Sequence, residues 1–244
     1  MTFLATQSLT RRFGGLTAVD QVDFRLEPGE IRAVIGPNGA GKTTLVSMIC
    51  GRFAPSAGRI EFNGADVTHL PAWQRVARGI VYTFQITSVF RNFTCFDNVA
   101  LAAQRALTLG KAPWHSIDQG ALASAVAEAL ERVELTERRD TPASALPYGH
   151  QRLLEVAMSL ALKPKLLVLD EPTQGLSEAE IVKFCSLVRE IAADATILLI
   201  EHNMDVVMEL AQRITVMNNG AILAEGTPAE ITANPAVQQA YLGA

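Results

Sequence analysis

The run Gly36-Pro37-Asn38-Gly39-Ala40-Gly41-Lys42-Thr43-Thr44 has the spacing G-x-x-x-x-G-K-[S/T], which suits it to holding phosphate. Its glycines let the chain curl until successive backbone N–H groups converge on phosphate oxygens, and the following helix adds its positive end. Lys42 then reaches the β- and γ-phosphates of a nucleotide. The Thr43 hydroxyl is offered to Mg²⁺, a cation that takes few protein ligands and keeps phosphate oxygens and water; Thr44 assists at the helix start. The plain alternative is a glycine turn with an incidental lysine. The flanks oppose it: Ile31 to Ile35 reads as a short buried strand, and Leu45, Val46, Met48 and Ile49 fall at helical spacing.

A second constellation is Leu166-Leu167-Val168-Leu169-Asp170-Glu171, an apolar strand ending in two carboxylates at the edge where α/β sheets bind ligands. Asp170 is expected to hold the magnesium, directly or through water. Glu171 is expected to orient and activate water for in-line attack on the γ-phosphorus. Carboxylates that merely cap the next helix are the alternative. The pair lies 128 residues beyond Lys42, which leaves room for an insertion that a compact small GTPase lacks.

These groups need a framework, and 244 residues are enough for one core with an inserted subdomain. With 49% hydrophobic and 19% charged residues, the balance opposes disorder, collagen and rod-like coiled coils. No apolar run is long enough to span a bilayer, and the opening residues lack the layout of a secretory signal, so a cytoplasmic chain is expected. Cys50, Cys95 and Cys185 are odd in number and widely spaced, indicating neither disulfides nor zinc. A formal charge of −4 offers no general attraction to nucleic acid.

Along the chain, β-type alternation from Leu4 to Leu26 leads to the Ile31 strand and the loop. Arg59 to Phe62, a helix from about Pro71 to Arg78 and a strand from Ile80 to Phe84 follow. From about Ser88 strand signals vanish and Ala and Leu dominate, with a helix over Ala121–Val133 and a loop over Leu109–Gly120. Strands return at Leu166–Leu169 and Ala195–Ile200. Asn218-Asn219-Gly220 marks a hairpin, and Thr227-Pro228-Ala229-Glu230 a capped helix start. The expected class is α/β: a P-loop core of mixed, largely parallel sheet with an antiparallel β layer (1–87 and 162–244) and an inserted helical subdomain (88–161).

With these motifs placed, the chain resembles the ATP-binding subunits of ABC transporters over essentially its whole length. The resemblance implies that ATP and Mg²⁺ are bound. Gln85 is similar to the glutamine-loop residue that touches magnesium and the attacking water. His202 matches the switch histidine at the γ-phosphate, and Phe13 the aromatic that stacks on adenine. A surface glutamine, a helix-start histidine and a core phenylalanine are the plain alternatives. Leu146-Pro147-Tyr148-Gly149-His150-Gln151 stands where the family commonly has Leu-Ser-Gly-Gly-Gln. The serine hydroxyl is absent, so Tyr148, Gly149 and His150 are expected to meet a partner's phosphate through the helix start, or else to form an ordinary helix start. Gln174-Gly175-Leu176-Ser177 departs from the family's usual aspartate, and Ser177 with Glu180 also fits a capping box.

The Leu-Pro-Tyr-Gly signature, the opening Arg12-Phe13-Gly14-Gly15-Leu16-Thr17-Ala18-Val19 and the ending Tyr241-Leu242-Gly243 are similar to ATPases of branched-chain amino-acid uptake. Implied partners are a second ATP-binding subunit in a homo- or heterodimer, transmembrane permease subunits and, indirectly, a solute-binding protein. The implied location is the cytoplasmic face of the inner membrane. Phe90 to Phe96 offers aromatics either for a permease helix or for core packing. Import of urea, amides or aromatic acids is an alternative. A soluble ABC ATPase acting on nucleic acid or ribosomes is opposed by the charge, and a small-molecule kinase leaves His202 unexplained.

Overall fold

The computed structural model describes residues 3–83, 88–109 and 117–242, with residues 241 and 242 described by their backbone alone. The described elements begin with β1 (Leu4–Phe13), β2 (Leu16–Val22), β3 (Arg25–Leu26), β4 (Ile31–Ile35), α1 (Lys42–Ile49), β5 (Ala57–Phe62), β6 (Ala65–Asp66), α2 (Ala72–Ala77) and β7 (Ile80–Thr83). Next come α3 (Cys95–Thr108), α4 (Gln119–Arg132), α5 (Tyr148–Ala161), β8 (Leu166–Asp170), α6 (Glu178–Ile191) and β9 (Thr196–Ile200). The last are α7 (Met204–Leu210), β10 (Arg213–Asn218), β11 (Ala221–Gly226), α8 (Pro228–Thr232) and α9 (Pro235–Leu242).

Two sheets form. One is antiparallel, ordered β2-β1-β5-β6 with β3 also paired to β1; the other runs β11-β10-β4-β9-β8-β7 and is parallel except for the β10–β11 hairpin. Strands β4, β8 and β9 are buried at every residue, as expected for a parallel sheet covered on both faces. Alternation sends Leu167, Leu169, Ile197 and Leu199 toward α3–α6. Leu166, Val168, Leu198 and Ile200 face the other way, toward α1 and the antiparallel layer. Because β4, β9 and β8 are neighbours, the segments leaving their C-terminal ends share one edge of the sheet.

Local chemistry explains where elements start. The α4 helix begins at Gln119, two residues before the expected Ala121, so Gln119 and Gly120 are not loop. The Asp118 carboxylate accepts from the N–H groups of Gly120 and Ala121 and caps it. Capping boxes open α3 (Thr94, Asp97), α6 (Ser177, Glu180) and α8 (Thr227, Glu230). In the hairpin, Asn219 (φ 48°) and Gly220 (φ 81°) take the left-handed conformations that a two-residue turn requires. Thr83 ends β7 among the described residues; Phe84 lies outside them. The three cysteines are free and buried, and burial pushes the Cys50 thiol up to about 12, which keeps it from acting as a nucleophile at neutral pH.

Candidate active site

The phosphate loop joins β4 to α1. Gly36 (φ 150°) and Gly41 (φ 98°) are fixed by contact as well as conformation: a Cβ at Gly36 would strike the Met217 carbonyl, and one at Gly41 the Ala18 carbonyl. No side chain caps α1, so its first N–H groups stay available to an anion. Lys42 Nζ donates to the carbonyls of Gly36 (2.7 Å) and Pro37 (3.0 Å), inside the curl of the loop. Burial lowers its pKa, and the nearby Glu171 and Asp170 carboxylates oppose that. Gly41→Ala is expected to cost about 2 kcal/mol or more of stability, through strain and the carbonyl clash. Denaturant unfolding checks this.

Asp170, at the end of β8, is 2% exposed. The Tyr82 hydroxyl on neighbouring β7 donates to its Oδ2 at 2.5 Å, and Arg52 donates to the Tyr82 oxygen at 3.3 Å. Burial raises the Asp170 pKa and the Tyr82 bond lowers it; burial, then the same bond, raises that of Tyr82. Glu171 holds a left-handed conformation (φ 46°), a strained state for a glutamate that surrounding contacts must enforce. Its N–H donates to the Ile200 carbonyl at 2.9 Å. From α5 the buried Arg152 guanidinium donates to the carbonyls of Asp170 (2.8 Å), Glu171 (3.2 Å) and Pro172 (3.3 Å), while pairing with Glu155 at 2.6 Å. Backbone anchors on both sides thus hold the turn. The largely exposed His202 imidazole lies 3.9 Å from the Glu171 carboxylate.

The start of α5 sits beside the turn that follows Glu171. The Tyr148 ring, 43% exposed, covers Gly175 (φ 79°), where a Cβ would come within 3.0 Å of it. Gly149 is buried against α6, where a Cβ would collide with the Glu180 carboxylate, so its size serves the close approach of the two helices. His150 lines a cavity of about 230 Å³ with Leu153, Leu176 and Glu180. Pro147 precedes the helix and no side chain caps it. Phe13 is not a core residue: it is 45% exposed, meets Phe53 edge-on at 5.7 Å and carries the Arg11 guanidinium 4.6 Å from its ring centre. Gln85 lies outside the described residues.

The structure therefore brings Lys42, Asp170, Glu171 and His202 to one sheet edge and sets Tyr148, Gly149 and His150 beside the turn leaving it. Sequence reasoning missed Tyr82 and Arg152. No local signal marked Tyr82, because its contact with Asp170 exists only once β7 lies beside β8. Among the described residues no three His, Cys, Asp or Glu side chains gather as a metal-holding group. The Thr43 hydroxyl and the buried Asp170 carboxylate are hard oxygen donors of the kind that, completed by phosphate and water, suits Mg²⁺.

Comparison with known proteins agrees with this geometry. The model of the ABC transporter family matches residues 19–174, and that of the branched-chain amino acid ATP-binding cassette transporter matches residues 221–244. The chain is 39% identical to the high-affinity branched-chain amino acid transport ATP-binding protein BraF of Pseudomonas aeruginosa, and the match covers 98% of this chain and 97% of that one. It is 41% identical to the corresponding protein LivG of Escherichia coli K12, with the same coverage. In structure it resembles a nucleotide-free ATP-binding cassette from an ABC transporter (TM-score 0.88, 29% identity, all of both chains). The ADP conformation of the cassette MJ1267 is similarly close (TM-score 0.87, 29% identity, all of both chains). By its phosphate loop, its acidic strand end and its likeness to these proteins from end to end, the chain belongs to the ATP-hydrolysing, ATP-binding subunits of ABC transporters.

Proposed function

We propose that this subunit powers an importer of branched-chain or related amino acids, with Glu171 as the base and His202 as the γ-phosphate contact. The observation that carries the site is the convergence of three segments, after β4, β8 and β9, on one sheet edge. Loop N–H groups and Lys42 hold the triphosphate, and Phe13 stacks on the base. Thr43 and Asp170, with Gln85, would hold Mg²⁺, which would offset phosphate charge when bound. Glu171 takes the proton of a water aligned on the γ-phosphorus. The fully loaded site includes the start of α5 from a second copy, whose uncapped N–H groups around Tyr148, Gly149 and His150 face the same phosphate. A cassette alike in fold, MJ0796 (TM-score 0.80, 20% identity), is dimeric. In this reading residues 88–161 form the arm that carries the signature.

No described helix is long and apolar enough to cross a membrane. Likeness to transporter ATP-binding subunits supports docking on permeases, at the cytoplasmic face in this reading. Phe90 and Phe93 stack at 5.5 Å and are exposed, whereas Cys95 and the partly buried Phe96 turn into the helical core. Beside Phe93, a groove of about 230 Å³ runs between Asp97, Ala100, Leu101 and Gln104, sized for an apolar helix side chain. Replacing Phe90 and Phe93 by Ser is expected to abolish permease capture from membranes while basal ATPase activity of the isolated chain persists. Capture at the wild-type level counts against this surface. Transport assays of the captured complex with leucine, urea and aromatic acids test the cargo: leucine uptake is expected, and uptake of only another solute overturns the amino-acid assignment.

A further inference from the structure

Glu201, between β9 and His202, has no exposed side-chain surface, and among the described residues no arginine or lysine forms an ion pair with it. The His202 imidazole Nδ1 lies 3.9 Å from Oε2, and hydrogen-bond donors satisfy both oxygens. Oε1 accepts from the backbone N–H of Thr173 (3.0 Å) and from the Thr173 hydroxyl. Oε2 accepts from the backbone N–H groups of His202 (2.9 Å) and Asn203 (3.1 Å). A buried carboxylate with no arginine or lysine beside it is tolerable only while its donors stay in place. Each oxygen therefore ties down one loop. One loop begins with Glu171, two residues before Thr173; the other begins with His202.

We infer that Glu201 is a positioning residue that locks the hydrolytic turn and the switch loop into one body, setting the Glu171–His202 separation that turnover needs. Its chemistry is specific: glutamine has the same shape but must turn an NH₂ group toward N–H donors on one side. Thr173 carries the other half of the clasp, and its hydroxyl can be removed by a near-isosteric valine. The inference rests on the roles proposed above for Glu171 and His202.

The test measures kcat, KM, nucleotide affinity and thermal unfolding for Glu201→Gln, Thr173→Val and Thr173→Ser, beside Glu171→Gln and His202→Ala. Thr173→Val and Glu201→Gln are expected to lower kcat about tenfold or more, with Mg·ATP affinity held within about twofold, while Thr173→Ser keeps wild-type turnover. If Glu201→Gln does not fold, Thr173→Val decides. Wild-type kcat in folded Thr173→Val, or losses of kcat and affinity in parallel with stability, overturn the positioning role. Wild-type turnover in Glu171→Gln or His202→Ala instead overturns the site reading beneath it, so the two failures are distinguishable.

Discussion

Glu171→Gln is expected to bind Mg·ATP with close to wild-type affinity and to hydrolyse it at least about 100-fold more slowly, the usual loss when a positioned base is removed. The amide has the size of the carboxylate. What holds the turn is backbone: the Glu171 N–H on the Ile200 carbonyl and the Arg152 guanidinium on the carbonyls of Asp170, Glu171 and Pro172. None of these contacts needs the carboxylate itself, so ligand geometry should survive while proton abstraction fails. Single-turnover phosphate release, measured beside calorimetric ATP binding, checks both halves. Release at the wild-type rate would remove Glu171 from its role.

Lys42→Ala is expected to weaken ATP binding by about 100-fold or more, the scale of losing one charged partner from a partly buried ionic contact. Nζ donates to the loop's own carbonyls; burial lowers its pKa, and the Glu171 and Asp170 carboxylates are close enough to oppose that. Without it those two carboxylates face the incoming triphosphate with less compensation. Stability should change by only about 1 kcal/mol, because the side chain contributes two hydrogen bonds rather than core volume. Lys42→Arg should not restore binding, since a planar fork does not fit where a compact ammonium sits among carbonyls. Isothermal titration with unfolding curves separates the two effects; unchanged ATP affinity in Lys42→Ala would contradict the assignment.

What the sequence disclosed, and what it hid, follows from the range of the interactions. The phosphate loop was legible because its requirements are local: Gly36 and Gly41, the lysine and the threonine act within nine residues, between a strand and a helix that announce themselves by periodicity. Asp170 and Glu171 were legible because carboxylates ending an apolar strand are unusual. Capping boxes at Ser177 and Thr227 were likewise readable at three-residue spacing. Tyr82, by contrast, meets Asp170 across 88 residues, and only the pairing of β7 with β8 brings them together. Arg152 and Glu201 had no local cue, because their contacts are largely to backbone groups of distant or neighbouring loops, which carry no sequence signal. Gly149 was expected to serve a phosphate, and the fold adds a packing reason for it in the neighbouring Glu180 carboxylate. The left-handed Glu171 had no local cue, since glutamate does not favour that conformation.

The central claim is that the phosphate loop of one copy and the α5 start of another grip the same ATP. The most direct measurement is thiol cross-linking between two separately purified Glu171→Gln chains, one also carrying Asn38→Cys and the other Ala145→Cys. Both positions are exposed, and the native cysteines are buried and so add little background. Mixed with Mg·ATP, the pair should yield a short-linker heterodimer that is absent with ADP or without nucleotide. Equal cross-linking in all three conditions, or none with ATP while both chains bind it, would contradict the shared site.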